Sequence, residues 1–100
     1  MMDTEQFLLI KLAEECQEVA QRALKMAQFG SDEVQKGQDQ TNAERLYGEL
    51  DDLNGITLLL DEETTGFTYT PSLVAIEAKA EKVAKYRALS EKLGRVNPKE

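Results

Sequence analysis

The sequence predicts an all-α fold: three long helices per chain forming a four-helix-bundle-like core, completed by dimer or tetramer packing. Three observations lead there. Apolar residues recur at three- and four-residue steps over spans of twenty residues or more, the period of a helix face. Each span opens on a capping signal and stops at a glycine or a polar run. Ala and Leu dominate the apolar set, against three Phe, three Tyr and no Trp, and both are strong helix formers.

Helix one is expected from about residue 4 to 29. Asp3 caps it, with Gln6 three residues on as the reciprocal partner of a capping box. Leu9, Leu12, Cys16, Val19, Ala20, Ala23 and Ala27 form its apolar stripe, and Gly30 ends it as the C-terminal glycine. Residues 30–40, GSDEVQKGQDQ, read as a polar loop. Its length exceeds what a helix hairpin needs, so it is either slack or a segment that closes over a ligand.

Thr41 and Glu44 make a second capping box, opening a helix to about residue 63. Leu46, Leu50, Leu53, Ile56, Thr57 and Leu60 mark its buried stripe, widened by Leu58 and Leu59, so its second half is expected to be enclosed on more than one side. Gly48 and Gly55 each weaken the helix and suggest close approach of another helix or a ligand. Residues 64–70, TTGFTYT, suit an extended bend or a short strand. Thr70 with Pro71 then signals the start of helix three, whose inner side is lined by Leu73, Ile76, Ala80, Val83, Ala84 and Leu93 before Gly94 stops it. Residues 95–100 read as a loose tail. One hundred residues make a single domain, 1–100. Rods of this length, roughly 38 Å each, leave a wide apolar side that a second copy would cover.

Composition narrows the chemistry. The net charge is −7, from 19 acidic and 12 basic residues. That disfavours a nucleic-acid polymer or an anionic membrane as partner. It permits a phosphate-bearing small molecule only with a cation to invert the local field. No histidine is present, which removes imidazole bases and the nucleophile pairs built on them. Cys16 is the single cysteine, so no intrachain disulfide forms and a reducing, cytoplasmic home is expected. It is expected as a packed thiol rather than a nucleophile. No stretch approaches the roughly 18 apolar residues of a membrane span.

The acidic residues then take on a pattern. Glu14, Glu15 and Glu18 lie together on helix one, and Glu49, Asp51 and Asp52 on helix two. Carboxylates three or four apart project from one helix face. Two antiparallel helices carrying Glu15 with Glu18 and Glu49 with Asp52 can bring four carboxylates to one point, a donor set that suits Mg²⁺ or Mn²⁺. A solvated acidic face accounts for the same letters, since the chain carries 13 glutamates.

Glu14-Glu15-Cys16-Gln17-Glu18 reads EExxE, and Glu49-Leu50-Asp51-Asp52 reads ExxD. In that order, on successive long helices of a small acidic protein, the two motifs resemble the all-alpha nucleoside triphosphate pyrophosphohydrolase superfamily. This superfamily includes the MazG-type enzymes, the dimeric dUTPases and the phosphoribosyl-ATP pyrophosphohydrolases. The resemblance covers about residues 5–93, and the small size suggests the single-domain, often phage-borne, MazG-like members. It implies Glu15, Glu18, Glu49 and Asp52 as metal ligands and Glu14 as a catalytic residue that binds metal-bound water or orients the nucleophile, with no firm role for Asp51. It implies a Mg²⁺-dependent enzyme that splits an NTP or dNTP into the monophosphate and pyrophosphate. The segment between the motifs, residues 19–48, is longer than in compact members, which bears on substrate choice.

Substrate contacts are expected from Lys79, Lys82 and Tyr86, a polar stripe on helix three, and from Arg45 and Asn54 on helix two. Lys79 and Lys82 are equally readable as a solvated face paired with Glu77 and Glu81, and Lys85 is a weaker candidate. Asn42, beside Arg45 at a helix N-terminus that favours anions, suits ordinary capping. Phe67 and Tyr69 suit packing or base stacking. The runner-up functions are phosphoribosyl-ATP hydrolysis and a non-catalytic helical assembly or regulatory module that retains the scaffold.

Overall fold

The computed structural model describes residues 1–99 and contains three helices, α1 (Thr4–Phe29), α2 (Asn42–Glu63) and α3 (Leu73–Lys92), with no strand among the described residues. The chain divides into two compact units, Met1–Thr68 and Tyr69–Glu100. None of the helices is long and apolar enough to cross a membrane.

Both expected capping boxes form. Asp3 accepts from the Gln6 amide at 2.7 Å while Gln6 accepts from the Asp3 amide at 3.0 Å. Thr41 and Glu44 repeat the exchange at 3.1 and 3.0 Å. Each satisfies two N–H groups that a helix start leaves open, and such a cap stabilises a helix by about 1 kcal/mol. Gly30 ends α1 at φ 94° and ψ 157°, a region essentially reserved for glycine.

In the first unit α1 and α2 pack as an antiparallel hairpin. Leu8 lies with Leu59 and Glu63 near its open end. Glu15 meets Glu49 and Asp52 further along. The buried apolar residues are Leu8 and Leu60, at 4% and 0% exposure. Buried beside them are two polar residues, Arg22 and Asn42.

The expected stripe of α1 is displaced. Leu9, Cys16, Ala20, Ala23 and Ala27 are exposed; Leu12 and Val19 are half-buried. The face turned to α2 instead runs through Leu8, Glu15 and Arg22, each seven residues from the last and so nearly in line along the helix. The cause is that Phe7, Leu8, Leu9 and Ile10 wrap the helix in apolar surface, so periodicity alone does not choose a face. On α2, Leu60 is buried and Leu46, Leu53, Ile56 and Thr57 are half-buried, close to expectation. Leu50, Leu58 and Leu59 are exposed, so the second half of α2 is not enclosed within the first unit.

The glycines differ too. A Cβ added at Gly48 or Gly55 would meet nothing, whereas one at Gly66 would collide with the Glu5 carboxylate. The close approach therefore lies where the chain leaves α2 and passes α1. Residues 64–70 form no strand.

Residues 30–41 are tied to the start of α2. The Asn42 amide donates to Glu33 O at 2.9 Å and the Ala43 amide to Ser31 O at 3.1 Å. The Asn42 side chain adds bonds to Gly30 O at 2.9 Å and to Glu33 Oε1 at 3.1 Å. Arg45 Nη1 reaches Gln35 Oε1 at 2.8 Å. The loop's extra length is spent capping α2 rather than left slack.

In the second unit, α3 starts two residues later than Thr70 and Pro71 suggested. Ser72 is its N-cap and accepts from the Ala75 amide at 3.2 Å. No residue of α3 is buried, and of the expected lining only Ala84 is half-buried. Gly94, at φ 74°, stops the helix as expected. Its amide returns to Glu91 O at 3.0 Å and that of Arg95 to Ser90 O at 2.9 Å. The tail is less loose than its sequence suggests: the Lys99 amide donates to Glu91 Oε1 at 3.2 Å, and Arg87 Nε lies 3.6 Å from the same oxygen. Residue 100, also assigned to that tail, lies outside the described residues.

Candidate metal centre

Near the middle of the hairpin, α1 contributes Glu15 and α2 contributes Glu49 and Asp52. One carboxylate oxygen from each lies within 4.8 Å of the other two. Glu49 and Asp52 share a face of α2 because they are three residues apart. Glu15 reaches them because it sits on the stripe of α1 that faces α2. Leu12 and Val19 flank it, half-buried.

The electrostatics of this trio are unfavourable as they stand. Glu15 Oε2 is closed to solvent and has no hydrogen-bond partner. The Glu15 carboxyl is pushed above its ordinary value of 4.5, first by burial. The charges of Asp52 and Glu49, a hydrogen bond to Glu49 and the charge of Glu18 add to the shift. A buried acceptor without a donor is costly, and like charges held together raise that cost. A cation among the three oxygens relieves both.

The spacing fits one. Opposite oxygens of an octahedral Mg²⁺ stand about 4.2 Å apart, twice its bond length. The three oxygens all lie within 4.8 Å of one another, close to that span. The donors are all hard oxygens, the set magnesium and manganese favour.

Three of the four expected ligands are thus gathered. Glu18 is exposed and outside the trio, though its charge is felt at Glu15. Glu14 is exposed and held by Lys11 at 3.2 Å. Asp51 is exposed on α2. Asn54, two residues beyond Asp52, is exposed, and its carbonyl accepts from the Thr57 hydroxyl at 2.8 Å. Arg45 is half-buried on Gln35. Lys79, Lys82 and Tyr86 are exposed on α3 in the second unit, and neither lysine joins an ion pair among the described residues. The lone thiol of Cys16 is exposed rather than packed.

Sequence reasoning missed Arg22. It is 8% exposed, and its Nη1 is buried without a hydrogen-bond partner. Its spacing, four residues after Glu18 and seven after Glu15, is the signal that could have found it. Asn42 was weighed as an ordinary cap, whereas it is the buried anchor of the loop.

The fold and site define a helical hairpin with a carboxylate trio at its seam. No family model, curated protein or solved structure matches this chain.

Proposed function

We propose that the chain is a magnesium-dependent pyrophosphohydrolase that splits a nucleoside triphosphate, NTP or dNTP, into the monophosphate and pyrophosphate. The observation that carries this reading is the convergence of Glu15, Glu49 and Asp52 from the two motif helices, with Glu15 Oε2 buried and unpartnered. The reading also draws on the resemblance of EExxE and ExxD to the MazG-like enzymes.

In this reading Glu15, Glu49 and Asp52 would hold Mg²⁺, or Mn²⁺, with Glu18 as a fourth carboxylate ligand. The ion supplies charge neutralisation and Lewis acidity at the phosphates. The protein's part is to fix the three carboxylates on rigid helices, so that little reorganisation accompanies binding. Glu14, on leaving Lys11, orients the attacking water. Arg45, Asn54, Lys79, Lys82 and Tyr86 are the proposed substrate contacts.

A homodimer or homotetramer belongs to the same reading. Two buried apolar residues among the described ones are a small core, and Leu9, Ile10, Leu50, Leu58 and Leu59 stand exposed on the hairpin. A second copy would cover them, giving the bundle its remaining helices. Light scattering at micromolar concentration should find no stable monomer.

The deciding experiment incubates the protein with NTPs, dNTPs and phosphoribosyl-ATP in Mg²⁺ and measures pyrophosphate, beside calorimetric Mg²⁺ titration. Release from at least one nucleotide is expected. Glu49→Gln should remove turnover while keeping the helical circular dichroism spectrum, because it deletes a charge and little volume. No release from any substrate, together with no Mg²⁺ binding, overturns the proposal and leaves a helical assembly module.

A further inference from the structure

Arg22 is 8% exposed and its Nη1 has no acceptor. A guanidinium cannot shed its charge, so burial without a counter-charge is among the costlier arrangements a small protein can hold. Among the described residues the ion pairs are Lys11–Glu14 and Arg87–Glu91, so Arg22 pairs with neither Glu18 nor any other carboxylate.

Its place on α1 says what it faces. Arg22 continues the line of Leu8 and Glu15, the stripe turned toward α2. It lies two helical turns beyond Glu15, about 10.5 Å along the axis. Long side chains on a helix lean toward its N-terminus and over the preceding turn. Arg22 therefore belongs to the seam that also holds Glu15, with the trio on the side toward which such side chains lean.

Charge completes the argument. Glu15, Glu18, Glu49 and Asp52 carry four negative charges between them, and the chain as a whole carries −7. A divalent ion offsets only part of this, so a polyphosphate held there needs a further fixed cation. The forked donors of an arginine match phosphate oxygens in pairs.

We infer that Arg22 binds a phosphate oxygen of the polyphosphate chain held at the Glu15–Glu49–Asp52 centre, which makes it the anion-recognising residue of that seam. This deepens the hydrolase reading and rests on it. The residue is a substrate-binding group, and its unpaired burial is the waiting state of an anion site.

The test uses inorganic tripolyphosphate with Mg²⁺ as the probe, titrated calorimetrically into the intact protein. Arg22→Met keeps an unbranched apolar stem and removes the charge. It should weaken tripolyphosphate binding by about tenfold or more, the loss of one charge-assisted hydrogen bond. Affinity for Mg²⁺ alone and the oligomeric state should hold, and the melting temperature should rise as the unpaired buried charge is removed. Should Arg22→Met fail to fold, Arg22→Lys carries the test: it keeps the charge, loses the paired donors, and should still weaken binding several-fold. Equal affinity in wild type and the folded variant, or no binding by wild type, overturns the inference. So does a variant that dissociates into monomers while binding tripolyphosphate normally, which would mark Arg22 as an intersubunit ion-pair residue. Pyrophosphate release is scored separately. A chain that binds tripolyphosphate through Arg22 yet hydrolyses no nucleotide keeps this inference and ends the hydrolase reading.

Discussion

Asn42→Ala is the most informative structural perturbation, because one side chain joins the loop of residues 30–41 to the helix that carries Glu49 and Asp52. Asn42 is 1% exposed, and its Nδ2 donates to Gly30 O at 2.9 Å and to Glu33 Oε1 at 3.1 Å. A neutral hydrogen bond contributes about 1 kcal/mol, and one to a carboxylate about 1.5–3 kcal/mol. The substitution also relieves a cost, since Asn42 Oδ1 is buried with no donor; removing such an atom returns about 1 kcal/mol or more. The net loss is about 2 kcal/mol, which for a domain of this size lowers the melting temperature by about 8–16 °C. The backbone bonds from Asn42 to Glu33 and from Ala43 to Ser31 survive the change, so the loop is weakened rather than released. Urea denaturation followed by circular dichroism measures the effect, with an unchanged m-value as the control for a comparable unfolded state. Glu33→Gln, which keeps an acceptor and drops its charge, should cost less than Asn42→Ala. Stability of Asn42→Ala within about 0.5 kcal/mol of wild type, the range of an ordinary surface change, would refute the assignment of Asn42 as the loop's anchor.

Three further outcomes are expected. Gly30→Ala should destabilise by about 1–3 kcal/mol in thermal melts, because alanine is strained at the backbone angles Gly30 adopts. Glu15→Gln should raise the melting temperature in chelator, by relieving a crowded carboxylate, and should abolish the rise that Mg²⁺ produces in wild type; a variant that still responds to Mg²⁺ as wild type does would remove Glu15 from the ligand set. The pH dependence has two signs. Glu44 is held below its ordinary value of 4.5 by the Thr41 amide and then the Thr41 side chain, so its contribution is present above pH 4.5 and is lost as pH falls through the lowered value. Glu15 is raised, so its contribution is present below 4.5 and is lost as pH climbs through the raised value. Glu44→Gln should erase the first trend, and Glu15→Gln the second, in melting curves recorded without metal across the acid range.

The sequence by itself determined the starts of α1 and α2, the stops at Gly30 and Gly94, and the pairing of Glu49 with Asp52 on one face. These features rest on bonds and spacings within about four residues, so neighbouring letters contain them. The start of α3, expected at Thr70 and Pro71, falls two residues later because Ser72 supplies the cap. Only the tertiary structure decided which face of α1 turns inward. Phe7, Leu8, Leu9 and Ile10 offer apolar surface all around, and adjacent positions differ by about 100° of rotation, so the choice belongs to α2. That choice sets Leu8, Glu15 and Arg22 in the seam and leaves Leu9, Cys16 and Ala23 outside. It also selects Glu15 over Glu14 and Glu18 for the carboxylate trio. The burial of Asn42 and the unpaired guanidinium of Arg22 have the same origin: each depends on residues distant in the chain, which no local pattern records.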